Sequence, residues 1–215
     1  GGFIQKKHLG RAQEGLHQQN PLTHAAGKAA HFFVGGKRMA TTRIIAMHRN
    51  KGCTIEQALK ARLDYIKNPE KTREGELVTA FACHAATADA EFALARKEYF
   101  EITGRWRENE VIAYQIRQSF RPGEITAEEA NRIGYELASR FGIELAQRFL
   151  KGNHAFAVAT HTDKEHVYNH LEWSAVTLDG IGKFRNFLGS GRAVVRLSDQ
   201  ICMEHKLSVI EKPQH

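Results

Sequence analysis

The chain has 215 residues, of which 42% are hydrophobic and 26% charged, and it carries a formal net charge of +7 with a pI near 9.4. This composition is typical of a globular protein long enough to bury a substantial core in one domain. No apolar run is long enough for a membrane-spanning helix, and no secretory signal is visible, so membrane insertion is not expected. The three cysteines are widely spaced, which argues against a disulfide framework and suits a reducing cytoplasm.

The positive charge is concentrated at the beginning of the chain. Residues 1–38 contain six lysines and arginines against Glu14 alone, so they carry +5 of the net +7 and the remainder is nearly balanced. We interpret residues 1–38 as a basic, poorly ordered N-terminal extension and residues 39–215 as the folded domain. A basic segment attracts phosphate backbones, but bulk charge alone does not identify a nucleic-acid partner.

The folded part begins with a predicted strand at Thr42–Met47, followed by a helix at about Ile55–Lys67. Thr54 and Gln57 have the spacing of a capping box at the start of this helix, and Pro69 prevents its continuation. The stretch "GELVTAFAC" then predicts a strand, and "TADAEFALARKEYFEIT" predicts a helix capped at its start by threonine. A third strand, "EVIAYQIRQSF", ends at the turn residues "RPGE".

The second half of the chain predicts a long helix, two strands and a final helix. Thr126 and Glu129 form another possible capping box, and the helix that they open extends to about Leu150. The runs "NHAFAVATHTD" and "HVYNHLEWSAVTL" predict paired strands, and the last helix spans roughly Arg192 to His205. The order of elements predicts an α+β domain with a central, mainly antiparallel sheet of about five strands and packed helices, which cover mainly one face.

Three histidines lie close together in "THTDKEHVYNHLEW". On a helix, His166 and His170 would have the i, i+4 spacing of zinc enzymes, but the β-rich composition favours a strand. On a strand, His166, Tyr168, His170 and Glu172 share one face, and His161 at the end of the preceding strand can meet that face. Imidazoles from two strands can hold one divalent ion and leave positions open for a substrate oxygen. Alternatively, these histidines are ordinary solvated or hydrogen-bonded surface residues.

Four stretches together resemble conjugative relaxases of the MobA/VirD2-like type, the mobilisation nucleases of the HUH endonuclease superfamily. "HAFAVATHTDKEHVYNH" resembles their third motif. "TTRIIAMHRNKGCTIEQALKARLDYIKNPEKT" is similar to their first strand and nucleophile helix, and "AYQIRQSFRPGEITAEEANRIGYELASRF" to their middle Ser-Phe motif. "KFRNFLGSGRAVVRLSDQIC" resembles the end of this domain. The stretches occur in the same order as in the family, cover about Met39–Lys212, and imply a palm-like fold.

The resemblance implies a mechanism in which Tyr65, in "RLDYIKNPEKT", is the nucleophile. A tyrosine hydroxyl has a pKa near 10 and attacks poorly at neutral pH, so a divalent ion, Mn²⁺ or Mg²⁺, would polarise the scissile phosphate. The implied activity is nicking of one strand of single-stranded DNA at a transfer origin, with a 5′-phosphotyrosine intermediate, in the transfer of a plasmid or integrative element. Accessory relaxosome and coupling proteins are the implied partners, and the chain is expected to be the nuclease domain of a longer relaxase.

The implied ligand triad falls on His161, His166 and Tyr168, so one imidazole is replaced by a phenol. The Tyr168 oxygen itself, His170 and Glu172 are candidate substitutes. We favour His170, because Glu172 lies about 20 Å from position 166 on a flat strand. Asp163 is interpreted either as a carboxylate that orients a ligand histidine or acts in catalysis, or as a simple turn residue.

The resemblance also suggests DNA contacts. Ser119 matches the middle motif, and the glycines of "FLGSGRA" could approach a phosphate at a helix N-terminus. Basic residues near strand ends are candidates for backbone contacts with single-stranded DNA: Arg43, Arg49, Lys51, Arg117 and Arg121. Two other functions stay open: a non-catalytic or metal-impaired single-stranded DNA-binding module, and a rolling-circle replication initiator.

Overall fold

The computed structural model describes residues 41–107, 109–148, 153–184, 186 and 189–209. The expected extension at residues 1–38 lies outside this range, and the domain boundary at residue 39 stays a prediction. The elements are β1 (Thr41–His48), α1 (Ile55–Ile66), a 3-10 turn (Pro69–Lys71), β2 (Val78–Phe81), α2 (Ala88–Thr103), β3 (Val111–Ser119), α3 (Ala127–Arg148), β4 (His154–His161), β5 (Tyr168–Thr177) and α4 (Ser190–Glu204). None of the helices within the described ranges is long and apolar enough to cross a membrane.

The helix starts follow local hydrogen bonds that the sequence partly predicts. Thr54 and Gln57 form the expected capping box, since each side chain accepts from the other residue's backbone N–H. At α3, the Thr126 hydroxyl accepts from the backbone N–H of Glu129 at 3.2 Å. The Thr87 side chain makes no capping bond, because its hydroxyl donates to a carboxylate one turn further along α2. The expected end of α3 near residue 150 falls among residues that are not described.

The five strands form one antiparallel sheet in the order β1-β3-β5-β4-β2. This confirms the predicted α+β class, the number of strands and the pairing of β4 with β5. Two of the three inner strands, β5 and β4, are buried along almost their whole length. Strands buried on both sides need cover on both sides.

Helices cover both faces of the sheet, so the expectation that they lie mainly on one face is wrong. On one face, α3 and α4 pack against large apolar side chains that include Phe156, Leu171 and Trp173. On the other face, α1 and α2 pack against the alternate positions of β4, which are Ala155, Ala157 and Ala159. Alanine side chains allow a helix to approach the strand closely. The run Ala-x-Ala-x-Ala in β4 is therefore the sequence signal for this second helical layer.

The register of the strands aligns the candidate site residues. One row across the sheet pairs Thr41 with Ser119, Ser119 with Tyr168, and Tyr168 with His161. Directly paired residues point to the same face of a sheet. His161 makes a hydrogen bond to α1, so this row faces the α1–α2 layer. The candidate site consequently lies where β4 ends and β5 begins, beneath the C-terminus of α1.

Candidate active site

Tyr65 lies beside two of the histidines. It is the penultimate residue of α1, a helix that buries Leu59, Leu63 and Ile66 against the sheet. The Tyr65 side chain remains 46% exposed at the edge of this contact. Its ring centroid is 6.0 Å from that of His161 and 5.8 Å from that of His170. A phenol from α1 and two imidazoles from the distant β4–β5 hairpin therefore share one surface.

His161 is held in a defined tautomer. Its Nε2 lies 2.8 Å from the backbone oxygen of Ile66, and a carbonyl oxygen can only accept a hydrogen bond, so Nε2 carries the proton. Nδ1 is then the nitrogen with a free lone pair, and it lies 3.3 Å from the Tyr168 hydroxyl. Burial lowers the pKa of His161 below its usual value, and the bond to Ile66 opposes this only in part. The imidazole is consequently a neutral base at physiological pH.

His170 is buried without a hydrogen-bond partner. It is 3% exposed, its ring centroid is 4.5 Å from that of His161, and neither of its nitrogens is paired with a described residue. Burial, aided by the nearby positive charges of Arg117, Lys71 and Arg62, lowers its pKa to about 3. Buried polar atoms are rarely left unpaired in native proteins. A neutral, unpaired imidazole beside Tyr65 has the properties of a ligand-binding group.

Tyr168 and Asp163 form a hydrogen-bonded pair beside His161. The Tyr168 hydroxyl donates to the Asp163 carboxylate at 2.8 Å, and the Tyr168 ring centroid is 5.1 Å from that of His161. Burial and then this bond raise the pKa of Tyr168. Burial also acts to raise the pKa of Asp163, but the Tyr168 hydroxyl and the Lys71 charge outweigh it and leave that pKa lowered. Tyr168 is therefore a neutral phenol whose hydroxyl proton is donated in the hydrogen bond to Asp163.

His166 and Glu172 lie on either side of this cluster. His166 precedes β5, and its ring centroid is 5.4 Å from that of Tyr168. Glu172 lies two residues beyond His170 on the same strand face and is 1% exposed. Its carboxyl accepts a hydrogen bond from Gln115 at 2.5 Å, and burial raises its pKa to about 8. Glu172 is therefore a largely protonated acid under the site at neutral pH, without access to solvent.

The side chains present fit a divalent ion only in part. His161 and His170 supply two neutral nitrogens, which suit a transition-metal ion. His166, the other expected histidine ligand, lies beside the Tyr168 ring, and its role as a ligand stays a prediction. The third donor would be an oxygen from Tyr168 or Asp163, because the phenol stands where the family pattern has an imidazole. In the part of the chain that the structure describes, no three His, Cys, Asp or Glu side chains are arranged to hold a metal ion.

The candidate DNA-binding residues divide into two groups. Arg43 pairs with Arg117, and Arg117 pairs with His170, so all three face the α1–α2 layer beside the site. Ser119 lies in the next row with Tyr168, and the exposed Arg121 follows shortly after β3 at the same end. Arg49 and Lys51 follow the other end of β1, about 20 Å away along the strand. The five basic residues therefore lie near both ends of the sheet, and their contacts with DNA stay a prediction.

Two basic residues beside Tyr65 were not singled out from the sequence. The Lys71 ammonium lies 4.4 Å from the centroid of the Tyr65 ring. Arg62 precedes Tyr65 by three residues on α1 and is close enough to lower the pKa of His170. The i, i+3 spacing of Arg62 and Tyr65 was a usable signal. For Lys71 there was no comparable sequence signal beyond its place in "NPEKT", because its position over the ring depends on the 3-10 turn after α1.

Comparisons with known proteins give a consistent result. The family described as "Relaxase: MobA/VirD2-like, nuclease domain" matches residues 65–207. Proteins named Rlx from Staphylococcus aureus are 38% identical over 106 residues, which cover 49% of this chain, and 31% identical over 174 residues, which cover 81%. The "Group II intron-interrupted relaxase LtrB" of Lactococcus lactis is 24% identical over 190 residues, which cover 73%.

The matched stretches span 31% and 44% of the two Rlx proteins and 32% of LtrB. Among solved structures, a chain described under "Molecular Basis of Vancomycin Resistance Transfer in Staphylococcus aureus" covers 83% of this chain and all of its own length. It has a TM-score of 0.45 and 11% sequence identity.

Proposed function

Because this chain belongs to the MobA/VirD2-like relaxases and contains their nuclease domain, we propose that it nicks one DNA strand at a transfer origin by transesterification from Tyr65. The observation that carries this proposal is the position of the Tyr65 ring, about 6 Å from both buried imidazoles. The substrate is single-stranded DNA of a plasmid or integrative element, and the biological role is conjugative transfer.

The proposed reaction exchanges one phosphodiester for another. The phenolic oxygen of Tyr65 forms a bond to the scissile phosphorus, and the bond from phosphorus to the 3′ oxygen breaks. The phenolic proton is lost and the departing 3′ oxygen gains one, so the products are a 5′-phosphotyrosine and a free 3′-hydroxyl. Because the covalent product retains a phosphodiester bond, the strand can later be rejoined.

His161 and His170 would hold a divalent ion, Mn²⁺ or Mg²⁺, with an oxygen of Tyr168 or Asp163 beside them. The ion would neutralise charge that develops on the phosphate. The residues of the chain have their own tasks: Ile66 fixes the tautomer of His161, and Asp163 holds the Tyr168 hydroxyl. Arg43 and Arg117 provide positive charge for the DNA backbone along the same sheet face.

The test uses end-labelled single-stranded oligonucleotides that tile the DNA of the element encoding the protein, incubated with the chain and Mn²⁺. We expect one oligonucleotide to form a covalent adduct that survives denaturing electrophoresis. The matched variant Tyr65→Phe keeps the ring and removes only the attacking oxygen, so it should form no adduct. An adduct of equal yield in Tyr65→Phe would show that another residue is the nucleophile.

A second candidate is a single-stranded DNA-binding module that has lost its nuclease activity. The observation in its favour is Tyr168, which puts a phenol where the family pattern has a metal-ligating imidazole. In the same experiment, this candidate would give retention of an oligonucleotide under native conditions and no adduct at any Mn²⁺ concentration. An adduct formed at a replication origin without strand transfer would instead indicate a rolling-circle initiator.

A further inference from the structure

We propose that Lys71 is an additional catalytic residue of this site: it binds the scissile phosphate and fixes the ring of Tyr65 for attack. The inference rests on the proposed function for the identity of the phosphate. Lys71 is the last residue of the 3-10 turn Pro69–Lys71, which begins three residues after α1 ends. Its Nζ lies 4.4 Å from the centroid of the Tyr65 ring, which is a cation–π distance.

The backbone of Lys71 is fixed to the hairpin that carries the histidines. The backbone N–H of Thr162, which directly follows His161, donates to the Lys71 carbonyl oxygen at 3.0 Å. The amide N–H of Lys71 donates to Asn68 at 3.0 Å within the turn. These bonds connect the 3-10 turn after α1 to the end of β4. The position of the ammonium relative to Tyr65 and His161 is therefore built into the backbone.

The ammonium of Lys71 is available to donate hydrogen bonds to a ligand. Its side chain is only 22% exposed, yet it makes no hydrogen bond with any of the described residues. The nearest carboxylate oxygen, Oδ2 of Asp163, is 3.8 Å away, and the other oxygen of that carboxylate, Oδ1, accepts from the Tyr168 hydroxyl. An ammonium that is mostly removed from water, and that makes one long ion pair but no hydrogen bond within the described residues, can donate hydrogen bonds to an anion. A phosphate oxygen that reaches Tyr65 would therefore be attracted by the positive charge of Lys71.

Lys71 also explains how this chain can act with one imidazole fewer than the family pattern. A positive charge placed beforehand at the reacting phosphate stabilises charge that develops in the transition state, whether it comes from a metal ion or from an ammonium. Lys71 lies beside the same two groups, Tyr65 and Asp163, that border the position of the missing imidazole. We infer that the ammonium supplies part of the charge that a fully liganded ion would provide.

The test compares Lys71→Met, Lys71→Arg and the matched control Lys164→Met. Lys164 is a useful control because its ammonium lies 5.6 Å from the Tyr168 ring, so its loss removes the same charge from a neighbouring phenol. Under single-turnover conditions with saturating oligonucleotide, we expect Lys71→Met to slow adduct formation about 100-fold. Lys71→Arg should recover part of the rate, and Lys164→Met should change it less than threefold. Equal rates for Lys71→Met and wild type would overturn the proposal.

A second measurement separates this inference from the proposed nuclease function. In protein labelled with ¹³C on its tyrosine rings, the Tyr65 resonance is identified by its loss in Tyr65→Phe. Inorganic phosphate should shift this resonance in wild type and in Lys164→Met but not in Lys71→Met. If no chain forms an adduct while this pattern holds, the nuclease proposal fails and the anion site stands. If phosphate shifts the resonance equally in Lys71→Met, the anion site is refuted even where nicking is observed.

Discussion

Arg117 lies directly opposite His170 in the antiparallel register of β3 and β5. Its guanidinium therefore points to the surface that contains Tyr65, and its Nε donates to the Gln115 side chain on the same strand at 2.8 Å. Gln115 in turn donates to the buried Glu172. Arg117 is an exposed residue of β3, so its guanidinium can meet a phosphate on this surface.

Arg117→Ala should weaken binding of single-stranded DNA and make it less sensitive to salt. Loss of one phosphate contact lowers the slope of log affinity against log salt by about 0.7 for a single strand. Fluorescence anisotropy with a labelled oligonucleotide at several salt concentrations measures both quantities. Lys51→Ala, at the far end of β1, should have a smaller effect on affinity. Equal losses in the two variants would mean that DNA extends to both ends of the sheet.

Tyr168→His should raise the affinity for Mn²⁺, because it adds a third imidazole beside His161 and His170. We expect the affinity to rise roughly tenfold or more, because even residues that only hydrogen-bond to the metal ligands change metal affinity by that much. Isothermal titration calorimetry on the protein without DNA gives the affinity directly. Tyr168→Phe is the matched control, since it removes the hydroxyl and adds no donor. If Tyr168→His binds Mn²⁺ no better than Tyr168→Phe, position 168 lies outside the coordination sphere.

Glu172→Gln should stabilise the protein at alkaline pH. Burial raises the pKa of Glu172 to about 8, whereas a glutamate in the unfolded chain titrates near 4.3. Between these values the unfolded state loses the proton and the folded state keeps it, so the contribution of Glu172 to stability declines as pH rises. Chemical denaturation should show that Glu172→Gln gains roughly 1 to 3 kcal/mol at pH 8 relative to wild type, and almost nothing at pH 4. A gain of the same size at both pH values would contradict this explanation.

Gly134→Ala should destabilise the fold, whereas Gly142→Ala in the same helix should not. A Cβ at position 134 would lie 2.5 Å from the Asn169 side chain and 2.9 Å from Val158, so α3 could not keep its close contact with β4 and β5. We expect a loss of about 1 to 3 kcal/mol. A Cβ at position 142 meets Trp173 at an ordinary 3.5 Å, and the higher helix propensity of alanine should add up to about 1 kcal/mol. Thermal denaturation of the two variants measures the difference.

The elements and their order follow from local patterns, and the site follows only in part. Capping at Thr54, the stop at Pro69 and the alternation along β5 depend on neighbouring residues, so they can be derived from the sequence. The second helical layer was missed because its signal, small residues at alternate positions of β4, is weaker than the apolar pattern on the other face. A strand face lined by alanines can be exposed to solvent or covered by helices, and the amino-acid sequence of the strand looks the same in both cases.

The convergence of the site residues could be predicted only through the family resemblance. Tyr65 and His161 are separated by 96 positions, and no local rule relates them. The buried state of His170 depends on α1 and on the antiparallel register of β5, both of which are tertiary features. The place of Lys71 over the Tyr65 ring depends on the turn after α1 and its bond to Thr162. These contacts require the fold itself.

The most direct test of Tyr65 as the nucleophile is identification of the residue that carries the DNA. An adduct formed with Mn²⁺ would be digested with nuclease and trypsin, and the modified peptide sequenced by mass spectrometry. We expect a nucleotide linked through phosphate to the Tyr65 oxygen. A nucleotide on Tyr168, the other phenol beside the two imidazoles, would contradict the assignment.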